Sequence, residues 1–377
     1  MMDNIKKLKI NILSPVRFHV FYLARELSRA GYDVKFYTCM PISKATKYGM
    51  PRDVCISVFW QLSPFVWLSR FFKNIKSLSV LLKYIQDYIV GFYVRKCDIC
   101  ISTSGGFSHT IARMKRKGTI VIVHRGSKHI LEQKKIVDAN PALHGFSQFR
   151  NTIIKRELKD YFNADYVVVQ TNHVKDSFIK QGYPNDKISV IPTGVDINEF
   201  TPSIGTTKKY DLIMVGTWCY RKGCDLIADA VETCGLKLLH VGNIGDLKFP
   251  DRPYLTHLDA VEQSVLPSFY HQSKIFILPS REEGLAMVLI QALACNLPII
   301  SSHDSGAEDL KGMVSHPEYI KLIEDYTVDS VVTAIKEVMV QYEKMGNTLY
   351  AGESLKNLTW EAYGKRYAAF LREKVRK

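Results

Sequence analysis

Between residues 277 and 310 the chain reads ILPSREEGLAMVLIQALACNLPIISSHDSGAEDL, an acidic loop from Ser280 to Gly284 set between an apolar strand-like stretch and an apolar helix-like one. Glu283 is therefore expected at a helix N-terminus, where unpaired backbone N–H groups attract anions and hydroxyls. Gln291 follows eight residues later. At the rise of an α-helix the two stand roughly 12 Å apart along the axis, a separation suited to gripping both ends of one nucleotide sugar. An equally open reading makes Glu283 a charge that complements the helix dipole and Gln291 a solvent-facing helix residue.

The elements that must position these residues follow from the hydrophobic pattern. Short β-branched stretches alternate with amphipathic ones, the pattern of parallel sheets covered by helices. KINILS, helix-like FYLARELSRAG, DVKFYT, DICIST, TIVIVH, ADYVVVQ and ISVIP form one series. YDLIMVG, CDLIADAVETCG, LKLLHVG, KIFILPS, LAMVLIQALA and LPIISS form a second, after the polar break TGVDINEFTPSIGTTKK. The expected organisation is α/β, with two Rossmann-like, doubly wound domains at 1–192 and 210–358, a linker at 193–209, and a basic helix at 359–377 that either caps the second domain or crosses back to the first. A length of 377 residues fits two domains.

Composition narrows the function classes. With 46% hydrophobic and 23% charged residues the chain is a packed globule. No apolar run reaches the length of about 18 residues that a membrane span requires, and MMDNIKKLKINILS lacks a leader's apolar core and cleavage site. A cytoplasmic protein is expected. Eight cysteines in apolar contexts give no disulfide framework, and the CxxC of Cys97 and Cys100 has no second pair to complete a metal site. The net charge of +14 favours anionic partners. No nucleic-acid-binding motif is present, so no nucleic-acid partner is expected. Residues 64–96 mix Trp67, Phe71 and Phe72 with Arg70, Lys73, Lys76 and Lys83. Two readings stand for that stretch: a helix lying on an anionic membrane surface, or an aromatic core with cations at its rim.

PSREEGLAMVLIQALACNLP followed by SGAEDL resembles the donor motif of the family-four retaining glycosyltransferases, which adopt the GT-B fold, two Rossmann-like domains facing each other across a cleft. The family motif runs P-S-x-x-E-G-x-G-x-x-x-x-E-A-x-A-x-G-x-P. By position the resemblance implies that Glu283, with the backbone at Gly284 and Leu285, holds the donor sugar and that Gln291 holds the ribose. Glu308 matches a later acidic position. Three residues depart from the motif: Gln291 stands for a Glu, Ala286 for a Gly and Asn296 for a Gly. Losing the ionised acceptor at 291 forfeits part of a bond worth about 1.5–3 kcal/mol.

MVGTWCYRKGCDLIADAV resembles the family's G-R-x-x-x-x-K-G loop, with Lys222 and Gly223 at its end, Thr217 in place of the Arg, and Arg221 able to supply the second cation. Two cations beside a diphosphate offset the charge that develops on a leaving group, without a metal or other cofactor. HVGNIGD is only a partial GxGxxG. NADYVVVQTNHVKDSF and ISVIPTGVDINEFTP are similar to the family's domain junction.

SPVRFHVFYLARELSRAG and RGSKHILEQ resemble a subgroup carrying R-F-H-x-F-x-L-A-R-E-L and R-G-S-x-H-I-x-x-Q. Arg17 and His19 then lie at the carboxyl end of the first strand, facing the cleft. His124 ends TIVIVH, where many family members carry the His that approaches the reacting sugar, and His129 sits in the subgroup motif. Either imidazole suits that role, although a lone His is more often structural. Glu157 and Asp165 read as helix-surface and turn residues. The resemblance implies transfer of a sugar, with retention, from a nucleotide-sugar to a hydroxyl on a carbohydrate or lipid-linked acceptor in cell-surface polysaccharide or glycolipid synthesis. A catalytically silent GT-B binding protein and a sugar-nucleotide epimerase are the alternatives.

Overall fold

The computed structural model describes residues 8–71, 78–139, 151–203, 205–346 and 352–375. Seven parallel strands form the first sheet: β1 Lys9–Leu13, β2 Asp33–Thr38, β3 Cys55–Ser57, β4 Ile99–Thr103, β5 Ile120–His124, β6 Tyr166–Val169 and β7 Ile188–Val190, in the order β3-β2-β1-β4-β5-β6-β7. Six form the second: β8 Tyr210–Val215, β9 Leu238–Val241, β10 Leu255–Leu258, β11 Ser273–Leu278, β12 Ile299–Ser301 and β13 Ile320–Leu322, in the order β10-β9-β8-β11-β12-β13. Both orders reverse beside the first strand of the sheet, at β1/β4 and at β8/β11. Such a switch point leaves a crevice at the carboxyl ends of the strands. The strands are near-continuous apolar runs because helices cover both faces. Thus Ile213, Met214, Phe276 and Ile277 are fully buried in the second sheet, as are Ile12, Ile101 and Val123 in the first.

The last helix, Trp360–Lys374, crosses back. Its Tyr363, Tyr367, Phe370 and Leu371 join the core built on β1, β2 and the helix His19–Arg29, and Trp360 stacks on Tyr22 at 3.9 Å between ring centroids. The two passages between the sheets touch: the Val195 N–H donates to the Leu358 carbonyl at 2.7 Å, and Val195 bridges Thr359 in parallel. A side chain at Gly194 would lie 2.3 Å from the Thr359 backbone, so glycine is what lets the passages meet.

All eight cysteines are free thiols, and Cys97 and Cys100 are buried. No helix among the described residues is long and apolar enough to cross a membrane.

Candidate active site

Two loops at the carboxyl ends of the second sheet bring the acidic and basic residues together. After β8 the chain makes a single turn, Tyr220–Lys222, and enters the helix Cys224–Thr233. After β11 it forms the loop 279–286. Lys222 Nζ lies 2.5 Å and Arg221 Nη1 2.9 Å from the same oxygen, Glu283 Oε1. Arg221 also donates to the Glu282 carbonyl at 2.6 Å. Burial pushes the Glu283 carboxyl up, but Lys222 and Arg221 outweigh it and hold the group below its ordinary range. The backbone N–H groups of Gly284 and Leu285 make no hydrogen bond among the described residues. Two unspent donors thus stand beside the carboxylate.

The helix after this loop begins later than the sequence pattern predicts. It spans Met287–Ala294 with Ala286 as N-cap, so Glu283 lies in a turn ahead of the helix. The reason is in the backbone: Glu283 N–H donates to Asp304 O and Ala286 N–H to Ser305 O, which ties the loop to the segment after β12. The axial spacing of Glu283 and Gln291 expected from helical rise therefore does not apply. Gln291 is buried rather than solvent-facing, and its Oε1 accepts from the Tyr270 hydroxyl at 3.2 Å. Glu308 points elsewhere: it is exposed and pairs with His303.

Across the cleft, β5 ends in His124, which is buried with both ring nitrogens engaged. Gln170 Nε2 donates to His19 Nδ1 at 3.2 Å. A neutral His19 must then carry its proton on Nε2, which faces His124 Nδ1 at 3.2 Å. His124 Nε2 in turn faces the Tyr367 hydroxyl at 2.9 Å. Burial lowers His19 to about 4 and drives His124 well down, so both rings are neutral at pH 7. His129 is placed differently. It caps the helix Ile130–Asp138, its Nδ1 accepting from the Leu131 N–H at 3.3 Å, and it packs on Tyr161 and Phe178. A capping ring held in the core cannot reach the cleft. Arg17 lines the cleft, donates to Gln263 Oε1 at 3.2 Å and lies over the Tyr48 ring.

Glu282, to which the sequence pattern assigns no role, is fully buried and joins the two walls. Its carboxylate accepts from the Ser127 hydroxyl and from Gln133 Nε2 at 2.9 Å. Gln133 also accepts from Arg125 Nη2 at 2.7 Å, and Arg125 Nη1 pairs with Glu157 at 2.7 Å. Glu157 is thus a buried part of the cleft wall, not a helix-surface residue. Its helix turns that face inward, and the Tyr161 hydroxyl and Arg125 satisfy it. Asp165 fits the turn expected of it, accepting from the Val121 N–H at 2.9 Å. The signal for Glu282 lay in RGSKHILEQ, whose Ser127 and Gln133 are its partners. Lys128 adds an ion pair to Asp304 at 2.5 Å. Between these contacts Gly284 presses on the Gly126 carbonyl, 2.1 Å from where a Cβ would stand.

The result is a cavity of about 920 Å3 between the sheets, lined from one side by His19, Thr103, Arg125 and Tyr84 and from the other by Arg221, Glu283, Leu285 and Gln291. Lys222 reaches it only through Glu283. No group of three or more His, Cys, Asp or Glu side chains able to hold a metal forms among the described residues.

Residues 16–199 match Glycosyltransferase Family 4, and residues 209–340 match Glycosyl transferases group 1. The chain belongs to the family 4 glycosyltransferases. Its two sheets have the GT-B arrangement of solved relatives. Anabaena HepE in complex with UDP and glucose superposes with a TM-score of 0.67 at 13% identity, covering 97% of this chain and 100% of that one. TarM superposes with a TM-score of 0.68 at 10% identity, covering 96% and 98%. Among curated relatives, a component of the human phosphatidylinositol N-acetylglucosaminyltransferase is 24% identical over 62% of this glycosyltransferase and 50% of its own length. A GDP-mannose-dependent phosphatidylinositol monomannoside mannosyltransferase of Mycobacterium tuberculosis is 22% identical over 55% of this chain and 62% of its own length. The glycosyltransferase therefore aligns with half to three-fifths of the length of these relatives.

Proposed function

We propose that this glycosyltransferase moves a hexosyl group, with retention of configuration, from a nucleotide diphosphate sugar to a hydroxyl of a lipid-linked or carbohydrate acceptor in glycolipid or cell-surface polysaccharide synthesis. The observation that carries the reading is the convergence of Arg221 and Lys222 on Glu283 beside the unspent amides of Gly284 and Leu285. The two cations answer the diphosphate, so the reading calls for no metal. Glu283 and the amides hold the sugar. Gln291, its carbonyl oxygen occupied by Tyr270, offers its NH2 to the ribose. His19 faces the reacting centre, and His124 fixes its ring and tautomer. The closed walls exclude water and so limit hydrolysis of the donor.

The acceptor class is argued from the relatives acting on phosphatidylinositol lipids and from an exposed aromatic surface beside the cleft. Trp60, Trp67, Tyr88 and Phe92 point outward on the helices Phe59–Phe71 and Leu78–Tyr93, so they do not form a core. Phe72, Lys73 and Lys76 lie outside the described residues. This surface suits an anionic leaflet, with the enzyme peripheral on the cytoplasmic side of the plasma membrane.

Thermal-shift screening against UDP-, GDP-, ADP- and CDP-sugars tests the reading. One donor is expected to raise the melting temperature of the native protein, and Glu283→Ala to lose that response. Transfer to a lipid acceptor followed by NMR of the new anomeric centre then tests retention. The second reading, a silent nucleotide-sugar-binding protein, is favoured by Gln291. Stabilisation by a donor with no turnover in any acceptor extract would establish it.

A further inference from the structure

We infer that Glu283 makes the cleft discriminate a nucleotide that carries a sugar from the bare nucleoside diphosphate, by pairing with the two cations that a diphosphate would need. The inference rests on the donor-site reading above. Arg221 and Lys222 converge on one oxygen, Glu283 Oε1, with Arg221 also donating to the Glu282 carbonyl. Among the described residues the Lys222 ammonium has no other partner, and Glu283 Oε2 has no hydrogen bond. One of the two positive charges is therefore already offset by the Glu283 carboxylate.

An entering diphosphate must draw these cations away from Glu283. That leaves a partly buried carboxylate whose charge is no longer compensated, a costly state. A ligand that also brings sugar hydroxyls removes the cost, because those hydroxyls donate to the carboxylate. A bare nucleoside diphosphate cannot. Sugar and diphosphate therefore strengthen each other's binding through one side chain. Once the sugar has left for the acceptor, Glu283 recovers its cations and the diphosphate product loses its hold. The residue thus acts on product release as well as on donor binding.

Calorimetric titration with UDP, GDP, ADP and CDP and with the matching nucleotide sugars, acceptor absent, tests this in the wild type and in Glu283→Gln. The neutral amide no longer competes for the cations. Affinity for the bare nucleotide is expected to rise about tenfold, affinity for the nucleotide sugar not to rise, and the wild-type preference for the sugar form to collapse. Glu283→Asp, which keeps the charge, should retain the preference and guards against a variant that fails to fold. If Glu283→Gln binds the bare nucleotide no more tightly than wild type, or if both ligands shift in parallel, the inference falls while the donor site stands. If no nucleotide or nucleotide sugar binds the wild type, both fall.

Discussion

At position 296 the backbone turns left-handed, with φ at 62°, the one non-glycine residue to do so among those described. It ends the helix Met287–Ala294: Asn296 N–H donates to Leu293 O and Leu297 N–H to Ala292 O, the paired bonds of a Schellman motif. Glycine fits such a position best and asparagine next, which accounts for Asn where the family motif has Gly. Asn296→Gly should therefore be neutral or stabilising by up to about 1 kcal/mol, and Asn296→Val should cost about 1–2 kcal/mol, read from denaturant melts. A second residue carries a pH signature. Asp160 is fully buried, accepts from the Gly105 N–H at 2.7 Å, and has an Oδ1 without a partner. Burial pushes its carboxyl up from 3.8 to about 7, against the opposing pull of Ser108, Gly105 and Arg156. A raised acid favours the protonated folded form, so its contribution is whole below the unfolded value near 3.8 and is lost as pH rises to about 7. Asp160→Asn keeps the acceptor and removes the charge. Its melting temperature should exceed that of wild type by about 2 °C or more at pH 8, and the gap should close towards pH 4.

The helix Leu78–Tyr93 is anchored on one face and largely exposed on the other. Asp87, fully buried, accepts from the His109 N–H at 2.8 Å and pairs with Arg156 at 2.5 Å, while Val90, and Val94 just past the helix end, enter the core. Leu81, Tyr88 and Phe92 recur at helical spacing on the exposed face. Exposed apolar stripes of this kind mark contact surfaces, and Lys83, Arg95 and Lys96 stand exposed around it. Wild-type protein should sediment with anionic vesicles at low salt, and Trp60→Ala with Phe92→Ala should weaken that about tenfold without lowering stability, since the two side chains are 80% and 83% exposed. Vesicles that leave the wild type in solution would remove the membrane reading. Elements of this order were largely legible in the sequence, because strand alternation and helical spacing are local. KINILS, DVKFYT and TIVIVH became β1, β2 and β5. The start of the helix before Gln291 was not legible. It depends on bonds from Glu283 and Ala286 to a segment about twenty residues on, and no local pattern encodes these. The aromatic residues of 64–96 were equally ambiguous, since composition does not say which side of a helix meets a core.

For the molecule as a whole the closed cleft is the governing feature. Arg221, Lys222 and Glu283 were legible as a group because family spacing brings them to adjacent strand ends. The tie from Glu282 to Ser127 and Gln133, and that of Tyr367 to His124, join residues far apart in the chain, so only the folded geometry shows them. The contact of Gly284 on Gly126 makes a direct test. Gly284→Ala puts a methyl against a backbone carbonyl that cannot yield without moving a whole wall, and overpacking of this kind costs about 1–3 kcal/mol. Its expected effect is a more open molecule, with a larger radius of gyration in X-ray scattering than wild type and weaker response to nucleotide sugar. An unchanged scattering curve would mean that the walls yield locally. The crossing of the helix Trp360–Lys374 has a consequence during synthesis. Tyr363, Tyr367 and Leu371 complete the core around β1 and the helix His19–Arg29, so the first domain made by the ribosome lacks one wall until residues near 371 have emerged. The nascent amino-terminal half must wait, partly bare, while the second domain is translated, and a chaperone that shields apolar surface would find its binding site in that interval.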